Sequence, residues 1–364
     1  MVTDAAVIPL DLTGDVADLT AALMDVESVS GNETALADAV ETALRAYPHL
    51  EVSRDGDSVV ARTRLGRAER VILAGHLDTV PLPTVPGSRG TVPSAWDGEL
   101  LYGRGATDMK GGVAVQLALA ASLTEPARDV TYVFYDHEEV DASLSGLGRL
   151  ERSHPEWLKA DFAVLLEPTN GTVEGGCNGT MRFHATTTGR AAHSARAWMG
   201  ENAIHAAADI LVRLRDHSPV TVNVEGLDFR ESLNAVRIWG GTAGNVIPDE
   251  ATVEINYRFA PDKGIEEAEA YVRELLAGFD VVRTDAAAGA RPGLNLPAAA
   301  SFVAAVGAEP KPKYGWTDVA RFSALGIPAV NFGPGDALLA HTDNEHVSAS
   351  AIRDCLGALK SWLG

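Results

Sequence analysis

Cysteine is scarce in this chain, which has only Cys177 and Cys355 in 364 residues. Two thiols in a chain of this length provide no disulfide framework, and such usage is typical of the reducing cytoplasm. Residues 1–14 lack a basic flank followed by a long apolar core, so we expect no signal peptide and a cytoplasmic location. A mean hydropathy of +0.01 excludes the membrane-spanning class.

Positive charge is also scarce. Lys and Arg number 30 against 50 Asp and Glu, and the resulting net charge of −20 disfavours nucleic acid as a partner. The chain has no Gly-x-Ser-x-Gly elbow and no phosphate-binding Gly-x-x-x-x-Gly-Lys-Ser/Thr loop. Gly103 and Gly105 lack the third glycine of the dinucleotide-binding pattern. These absences disfavour hydrolysis through a covalent nucleophile.

The chain does contain apolar strands that run directly into acids and histidines. Residues 71–74 have the pattern of a buried strand, Gly75 ends it, and His76 and Asp78 follow. The same form recurs at three places: 129–135 before Glu138 and Glu139, 161–166 before Glu167, and 327–332 before a Gly/Pro loop and His341. Asp108 lies just before a helix predicted over about 110–123. Because ligands bind at the carboxyl ends of strands in open α/β sheets, these side chains form a candidate site.

Five of these residues have the chemistry of metal ligands: His76, Asp108, Glu139, Glu167 and His341. Their spacing is too wide for a zinc finger and indicates a site that the fold assembles. Two imidazoles and three carboxylates suit two divalent ions, with one carboxylate bridging them. Zinc is our first choice, although the same ligands also accommodate cobalt or manganese.

Two further acids have predicted roles beside the ligands. The carboxylate of Asp78 is placed to accept the second imidazole N–H of His76. Glu138 and Glu139 are neighbours, and in an extended segment they would point in opposite directions. We therefore expect Glu139 to bind metal and Glu138 to act as the general base and acid, taking a proton from water and giving it to a leaving amine.

The chain resembles the co-catalytic zinc exopeptidases and amidohydrolases, the family that includes the aminoacylases. The matching motifs occur in the family's order and span most of the chain: residues 75–81 (GHLDTVP), 103–112 (GRGATDMKGG), 138–139 (EE), 167–168 (EP) and 341–343 (HTD). The resemblance implies Asp108 as the bridging ligand. It also implies that His76 and Glu167 hold one zinc and that Glu139 and His341 hold the other.

Within that family, three stretches are most similar to the actinobacterial type of succinyl-diaminopimelate desuccinylase: residues 138–148, 190–196 and 314–322. The resemblance implies hydrolysis of N-succinyl-LL-2,6-diaminopimelate in lysine and diaminopimelate biosynthesis. Two alternatives stay open. One is another N-acyl amino acid deacylase or dipeptidase, such as an acetylornithine deacetylase, and the more distant one is a non-catalytic metal-binding scaffold.

The middle of the chain has no metal motifs and its pattern is strand–helix–strand–strand–helix–strand, which is typical of a ferredoxin-like layer. In the first helix of this segment, about 201–216, Ile204, Ala208, Leu211 and Leu214 lie at helical spacing. We predict an α/β catalytic domain with a mixed sheet sandwiched by helices over 1–178 and 290–364. The insert, 179–289, is predicted as an α+β lid and dimerisation domain, with an edge strand available for a homodimer.

Polar residues of the insert have two interpretations each. On sequence alone His193 is either an exposed loop histidine or an oxyanion donor, and Arg258 is either on a solvated sheet face or a carboxylate clamp. The resemblance favours the functional role for both, with His193 acting in the partner subunit's site. Asn245, Arg182 and Thr180 are further candidates for substrate binding, and so is Thr317 of the Gly315–Asp318 loop.

Overall fold

The structure is a computed structural model that describes residues 8–307 and 309–364. Residues 1–7, on which the signal-peptide expectation partly depends, lie outside the described residues. The chain divides into two compact units. The first comprises the residues up to Glu174 together with Gly293–Lys311 and Arg321–Gly364, and the second comprises Gly175–Pro292 and Pro312–Ala320. The predicted domain boundaries at 178/179 and 289/290 stay a prediction.

The first unit contains a mixed sheet and the helices that cover it. Its strands are β1 (Glu51–Asp55), β2 (Ser58–Arg62), β3 (Arg70–His76), β4 (Ala95–Asp97), β5 (Leu100–Tyr102), β6 (Asp129–Tyr135) and β7 (Phe162–Leu165), then, numbered in chain order, β18 (Ala329–Asn331) and β19 (His346–Ser348). Its helices are α1 (Val16–Met24), α2 (Thr34–Arg45), α3 (Gly111–Ser122), α4 (Gly146–Ser153), α7 (Pro297–Val306) and α9 (Ala349–Leu363). Three short elements span the unit boundaries: β8 (Glu174–Gly175), β17 (Lys311–Pro312) and α8 (Val319–Ala324).

The main sheet has the strand order β1-β2-β6-β3-β7-β18, extended by β8 and β17. β3 runs parallel to β6 and β7, and β18 runs parallel to β7, so the carboxyl ends of these four strands lie at the same edge. Residues 71–74 of β3 are fully buried, as a strand covered on both faces requires. β5 pairs antiparallel with both β4 and β19 in a separate three-stranded sheet.

Helix α3 is almost entirely apolar, and nearly all of its residues are buried. It packs with α1 and α9, and Leu23, Leu117 and Ile352 from these three helices belong to one hydrophobic core. Gly112 brings α3 close to the chain that leaves β7, because a Cβ at this position would lie far inside van der Waals contact with the Leu166 carbonyl oxygen. The close approach therefore fixes where the start of α3 lies relative to the neighbouring residue Glu167.

The second unit contains β9 (Gly179–Thr188), β10 (Ala192–His193), β11 (Thr221–Val224), β12 (Leu227–Arg230), β13 (Ser232–Gly240), β14 (Val246–Ile247), β15 (Glu250–Phe259) and β16 (Asp280–Ala287), with helices α5 (Ala203–Asp216) and α6 (Ile265–Leu275). Four strands form an antiparallel sheet in the order β13-β15-β9-β16. This is the order of a ferredoxin-like unit, and Met181, Val253 and Val272 lie in its own hydrophobic core.

The predicted apolar face of α5 is wrong at Ile204, Ala208 and Leu211, and right only at Leu214. Ala203, Ala207, Ile210 and Leu214 are the buried residues of this helix, whereas Ile204 and Leu211 are exposed. The helix packs against β9 and β15, and its buried face combines two small alanines in its first half with Ile210 and Leu214 in its second half. Across residues 8–307 and 309–364, every helix is too short or too polar to cross a membrane.

We predict that Gly112→Ala lowers the free energy of unfolding by about 1–3 kcal/mol, because the added methyl group overpacks α3 against the Leu166 backbone. Gly357→Ala is the control. Gly357 is exposed in α9 with open space around its Cα, and alanine there should stabilise by about 0.5–1 kcal/mol. Denaturant unfolding measures both variants, and a Gly112→Ala protein as stable as wild type would contradict the close approach.

Candidate metal centre

The carboxyl edge of the parallel strands gathers the predicted ligands of the first unit. His76 is the last residue of β3. Three others lie in segments that connect regular elements: Glu139 after β6, Glu167 after β7 and His341 after β18. Asp108 lies in a short π-helical stretch, Ala106–Lys110, just before α3, and its own backbone there is not helical. The strand-end argument predicted this convergence from the sequence, and the structure brings the side chains together.

Asp108 lies between the two histidines. Its Oδ1 is 3.1 Å from His76 Nε2, and its Oδ2 is 3.3 Å from His341 Nε2. Glu167 Oε1 lies 4.0 Å from His76 Nε2, and Glu139 Oε1 lies 2.9 Å from His341 Nε2. Two groups of possible ligand atoms, each within 4.8 Å of one another, therefore share Asp108. A carboxylate with one oxygen toward each group has the arrangement of a bridging ligand.

The cluster attracts positive charge. Hydrogen bonds to Asp108 and Glu139 raise the pKa of His341 from 6.5 to about 10. Burial opposes protonation of His76, but the Asp108 and Asp78 carboxylates outweigh it and raise the pKa of His76 well above its usual value. Burial likewise opposes ionisation of Asp108, yet the two imidazoles lower its pKa. Protons on the two imidazoles thus offset the negative charge of the carboxylates. Divalent cations that displaced these protons would offset more of that negative charge.

Glu138 and Glu139 both face the centre. Oxygen atoms of both carboxylates lie within 4.8 Å of His76 and of each other. The expectation that the two side chains point in opposite directions is therefore wrong. His137 has a φ of 57°, which turns the chain out of the extended conformation just before the pair. The roles of Glu138 as base and Glu139 as ligand stay predictions.

Asp78 is buried and holds the backbone of this glutamate pair. Its Oδ1 accepts the Glu138 N–H and its Oδ2 accepts the Glu139 N–H, each at 3.0 Å, and the Ser30 hydroxyl donates to Oδ2 at 2.7 Å. The predicted contact with His76 Nδ1 is present at 3.5 Å, but the Asp78 backbone carbonyl is closer to that nitrogen, at 3.0 Å. Burial raises the pKa of Asp78, but the His76 imidazole and the donated hydrogen bonds bring it down to about 2.

The model of peptidase family M20/M25/M40 matches residues 72–363. The chain belongs to this family. A Mycobacterium tuberculosis relative named for succinyl-diaminopimelate desuccinylase is 52% identical over 358 residues, 98% of this chain and 99% of the relative. The succinyl-diaminopimelate desuccinylase of Corynebacterium glutamicum is 44% identical and covers 97% of both chains.

A solved structure from Staphylococcus aureus, a tripeptidase, has the same fold. Its TM-score is 0.77 at 21% identity, and the match covers 97% of this chain and 98% of that one. The predicted α/β fold class, the family and the hydrolase class are therefore confirmed.

In the second unit of this M20 protein, two guanidinium groups lie on adjacent strands. Arg258 of β15 is opposite Thr180 of β9, and Asn256 is opposite Arg182. Arg258 Nε donates to Asn256 Oδ1 at 3.1 Å. Burial and the charge of Arg182 lower the pKa of Arg258. The structure therefore brings three of the predicted substrate-binding residues together.

The other predicted residues of this unit lie in two places. His193 is exposed in β10, and its Nδ1 accepts the Ala195 N–H at 3.0 Å, so the ring proton of the neutral form is on Nε2 and is available to donate. The Asn245 backbone carbonyl accepts the Ser194 N–H at 2.9 Å, beside His193. Thr317 is buried, and its backbone carbonyl accepts the Cys177 thiol at 3.8 Å. Both cysteine thiols are buried, and burial raises the pKa of Cys177 to about 11, as expected of a structural cysteine.

Sequence reasoning missed Glu345 and the part played by Lys110. Glu345 is buried and accepts hydrogen bonds from the segment that carries Asp108. Lys110 is buried too, and its Nζ donates to the Leu23 and Val26 carbonyls at 3.2 and 2.7 Å. Burial lowers the pKa of Lys110 to about 7. The only sequence signal for Glu345 was an acid directly before a strand that begins with a histidine.

We predict a pH-dependent contribution of His341 to the stability of the chelator-treated protein. Because folding raises its pKa from 6.5 to about 10, its ion pairs stabilise the fold fully below pH 6.5 and are lost as the pH rises through about 10. The melting temperature of wild type should thus exceed that of His341→Gln most near pH 6, by a modest amount because the ring is half-exposed.

The matching control is His205→Gln, the same substitution at an exposed position of α5. Thermal unfolding between pH 6 and 10.5 measures all three proteins. A His341→Gln difference that is constant or grows with pH would contradict the ion pairs with Asp108 and Glu139.

Proposed function

We propose that this M20 hydrolase cleaves the amide bond of N-succinyl-LL-2,6-diaminopimelate with water, giving succinate and LL-2,6-diaminopimelate. The observation that carries the hydrolytic chemistry is the Asp108 carboxylate shared by two ligand groups, with Glu138 beside them. Two relatives that match this chain over nearly its whole length are named for the same enzyme, and they support the choice of substrate.

The centre suits two divalent ions. His76 and Glu167 would hold one, Glu139 and His341 the other, and Asp108 both. Nitrogen and oxygen donors without thiolate favour zinc and also accept cobalt or manganese. Ions bound there would polarise the amide carbonyl and lower the pKa of water.

The chain's own residues would move the proton. Glu138 is assigned as the general base, because its carboxylate faces the centre and its backbone is fixed by Asp78. It takes a proton from the attacking water and delivers it to the amine that leaves. His193 is assigned as the donor to the tetrahedral oxyanion in the partner subunit's site, through Nε2, which the contact of Nδ1 with the Ala195 N–H leaves protonated in the neutral ring.

A carboxylate-bearing substrate explains the arginines of the second unit. Arg258 donates from Nε to Asn256, and its pKa is lowered by burial and by the charge of Arg182, so a carboxylate bound between the two guanidinium groups would stabilise both charges. The net charge of −20 opposes anionic substrates at long range, so a local guanidinium group is needed. Arg258 binds a substrate carboxylate as a two-point clamp, and Asn245, Arg182, Thr180 and Thr317 are the further candidates.

We also propose a homodimer formed through the second unit. Strand β13 is at the edge of its sheet and exposes Val236, Ile238 and Trp239 by 56%, 48% and 42%. Ile204 and Leu211 of α5 are exposed as well, and α5 contacts β13. An unpaired edge beside exposed apolar side chains is suited to pairing with a second copy across a two-fold axis. A monomeric mass by light scattering at micromolar concentration would contradict the dimer.

The substrate proposal predicts a clear preference in a side-by-side assay. With zinc added back, kcat/KM for N-succinyl-LL-2,6-diaminopimelate should exceed that for acetylornithine and for dipeptides by at least about tenfold, roughly 1.4 kcal/mol in transition-state binding. Arg258→Ala should raise KM for the succinyl substrate because a carboxylate contact is lost. A preference for acetylornithine or a dipeptide would reassign the enzyme within the family, and metal binding without any turnover would indicate a non-catalytic scaffold.

The base assignment predicts that Glu138→Gln binds as much metal as wild type and loses about 10²–10⁴-fold in kcat, because the amide cannot accept the proton. Glu99→Gln, at an exposed acid of the same unit, is the control and should keep wild-type kcat. Metal analysis and steady-state kinetics on the three proteins measure both quantities. A kcat for Glu138→Gln within tenfold of wild type would refute the role.

A further inference from the structure

Glu345 is an acid that the proposed chemistry does not use, although it is buried beside the centre. Its Oε1 accepts the N–H groups of Thr107 and Asp108 at 2.9 and 3.1 Å. Its Oε2 accepts Arg104 Nη1 at 2.8 Å and the Gly105 N–H at 3.2 Å. All four donors belong to residues 104–108, the segment that ends in the shared carboxylate.

The same segment has further contacts with the chain around Glu345. The Glu345 backbone carbonyl accepts the Gly103 N–H at 3.1 Å, and the Thr107 hydroxyl donates to the His346 carbonyl at 2.8 Å. Arg104 also reaches the Thr342 carbonyl, at 3.4 Å. Glu345 therefore joins the segment that contains Asp108 to the segment that contains His341. These two predicted ligands are remote in sequence.

A buried carboxylate with donors on both oxygens fixes its surroundings strongly, because each donor would otherwise be left without a partner in a low-dielectric interior. The oxygen that binds the Asp108 N–H determines where that residue's Cα lies, and hence where its carboxylate can reach. Asp108 has one oxygen near each histidine, so a small shift of its backbone would spoil the geometry on both sides.

We propose that Glu345, paired with Arg104, is a positioning residue of the metal centre: it holds the backbone of Asp108 so that one carboxylate serves both ions, and it thereby sets their affinity. This inference rests on the proposed function. It makes Glu345 the counterpart of Asp78, which holds the backbone of Glu138 and Glu139 in the same way.

Glu345→Gln tests the inference. The amide turns an N–H₂ group toward donors at one end of the side chain, so two hydrogen bonds to residues 104–108 are lost while the size is kept. We expect zinc affinity, measured on the chelator-treated full chain by competition with a chromophoric chelator, to fall about 10–100-fold. The absorption spectrum of the Co²⁺-loaded protein should also change, because the geometry around the ions changes.

Glu231→Gln is a matched control in the second unit. Glu231 is also buried, and its carboxylate accepts the Ala260 N–H and the Tyr257 hydroxyl, each at 2.8 Å, and pairs with Lys263. Both variants should lower the melting temperature, but Glu231→Gln should leave zinc affinity within twofold of wild type and the Co²⁺ spectrum unchanged. Zinc affinity within twofold and an unchanged spectrum for Glu345→Gln would overturn the inference.

Glu345→Asp decides the question if Glu345→Gln does not fold. It keeps the charge but shortens the side chain by one methylene, so it cannot reach all four donors, and zinc affinity should again fall. Wild-type affinity in Glu345→Asp would overturn the positioning role. A wild-type protein that binds no divalent ion would instead overturn the proposed function, so the two failures are distinguishable.

Discussion

The mutual repulsion of closely spaced carboxylates is the constraint on which this structure depends. Asp108, Glu139 and Glu167 crowd around two histidines, and Asp108 faces both of them. Like charges at these distances are tolerated when a cation lies between them or when a proton neutralises one of them. The raised pKa of His341 is a consequence of this repulsion. Next to the carboxylates the ring keeps a proton that an isolated imidazole would lose near neutral pH.

Regular secondary structure cannot by itself hold these ligands. His341 and the residue before Glu138, His137, have φ of 62° and 57°, a conformation that neither strands nor helices contain. Two buried acids hold these segments in place by accepting hydrogen bonds from their backbone. Asp78 accepts the N–H groups of the glutamate pair, and Glu345 accepts those of residues 105, 107 and 108. The cluster thus has acids of two kinds, those whose carboxylates lie beside the two histidines and those whose carboxylates accept backbone N–H groups.

The first kind could be predicted from the sequence and the second could not. An apolar run followed by a histidine or an acid places that side chain at the carboxyl edge of a parallel sheet, and the argument works for His76, Glu139 and Glu167. Glu345 reaches the backbone of Thr107, which is 238 positions away, and no local pattern encodes such a contact. The sequence also did not predict that the Glu138 and Glu139 side chains point the same way. Alternation of side chains holds only in an extended strand, and the left-handed conformation of His137 just before them cannot be inferred from the residue pattern.

In the second unit the closely spaced charges are positive instead of negative. Arg258 is half-buried near Arg182, and both burial and this neighbour lower the pKa of Arg258, which shows that its positive charge is disfavoured in the free protein. A bound carboxylate would relieve that cost, just as metal cations would relieve the crowding of acids around Asp108. Each unit therefore has a cluster of like charges that a ligand of the opposite charge would stabilise. In a chain with a net charge of −20, an anionic substrate is recognised only where such local cations are available.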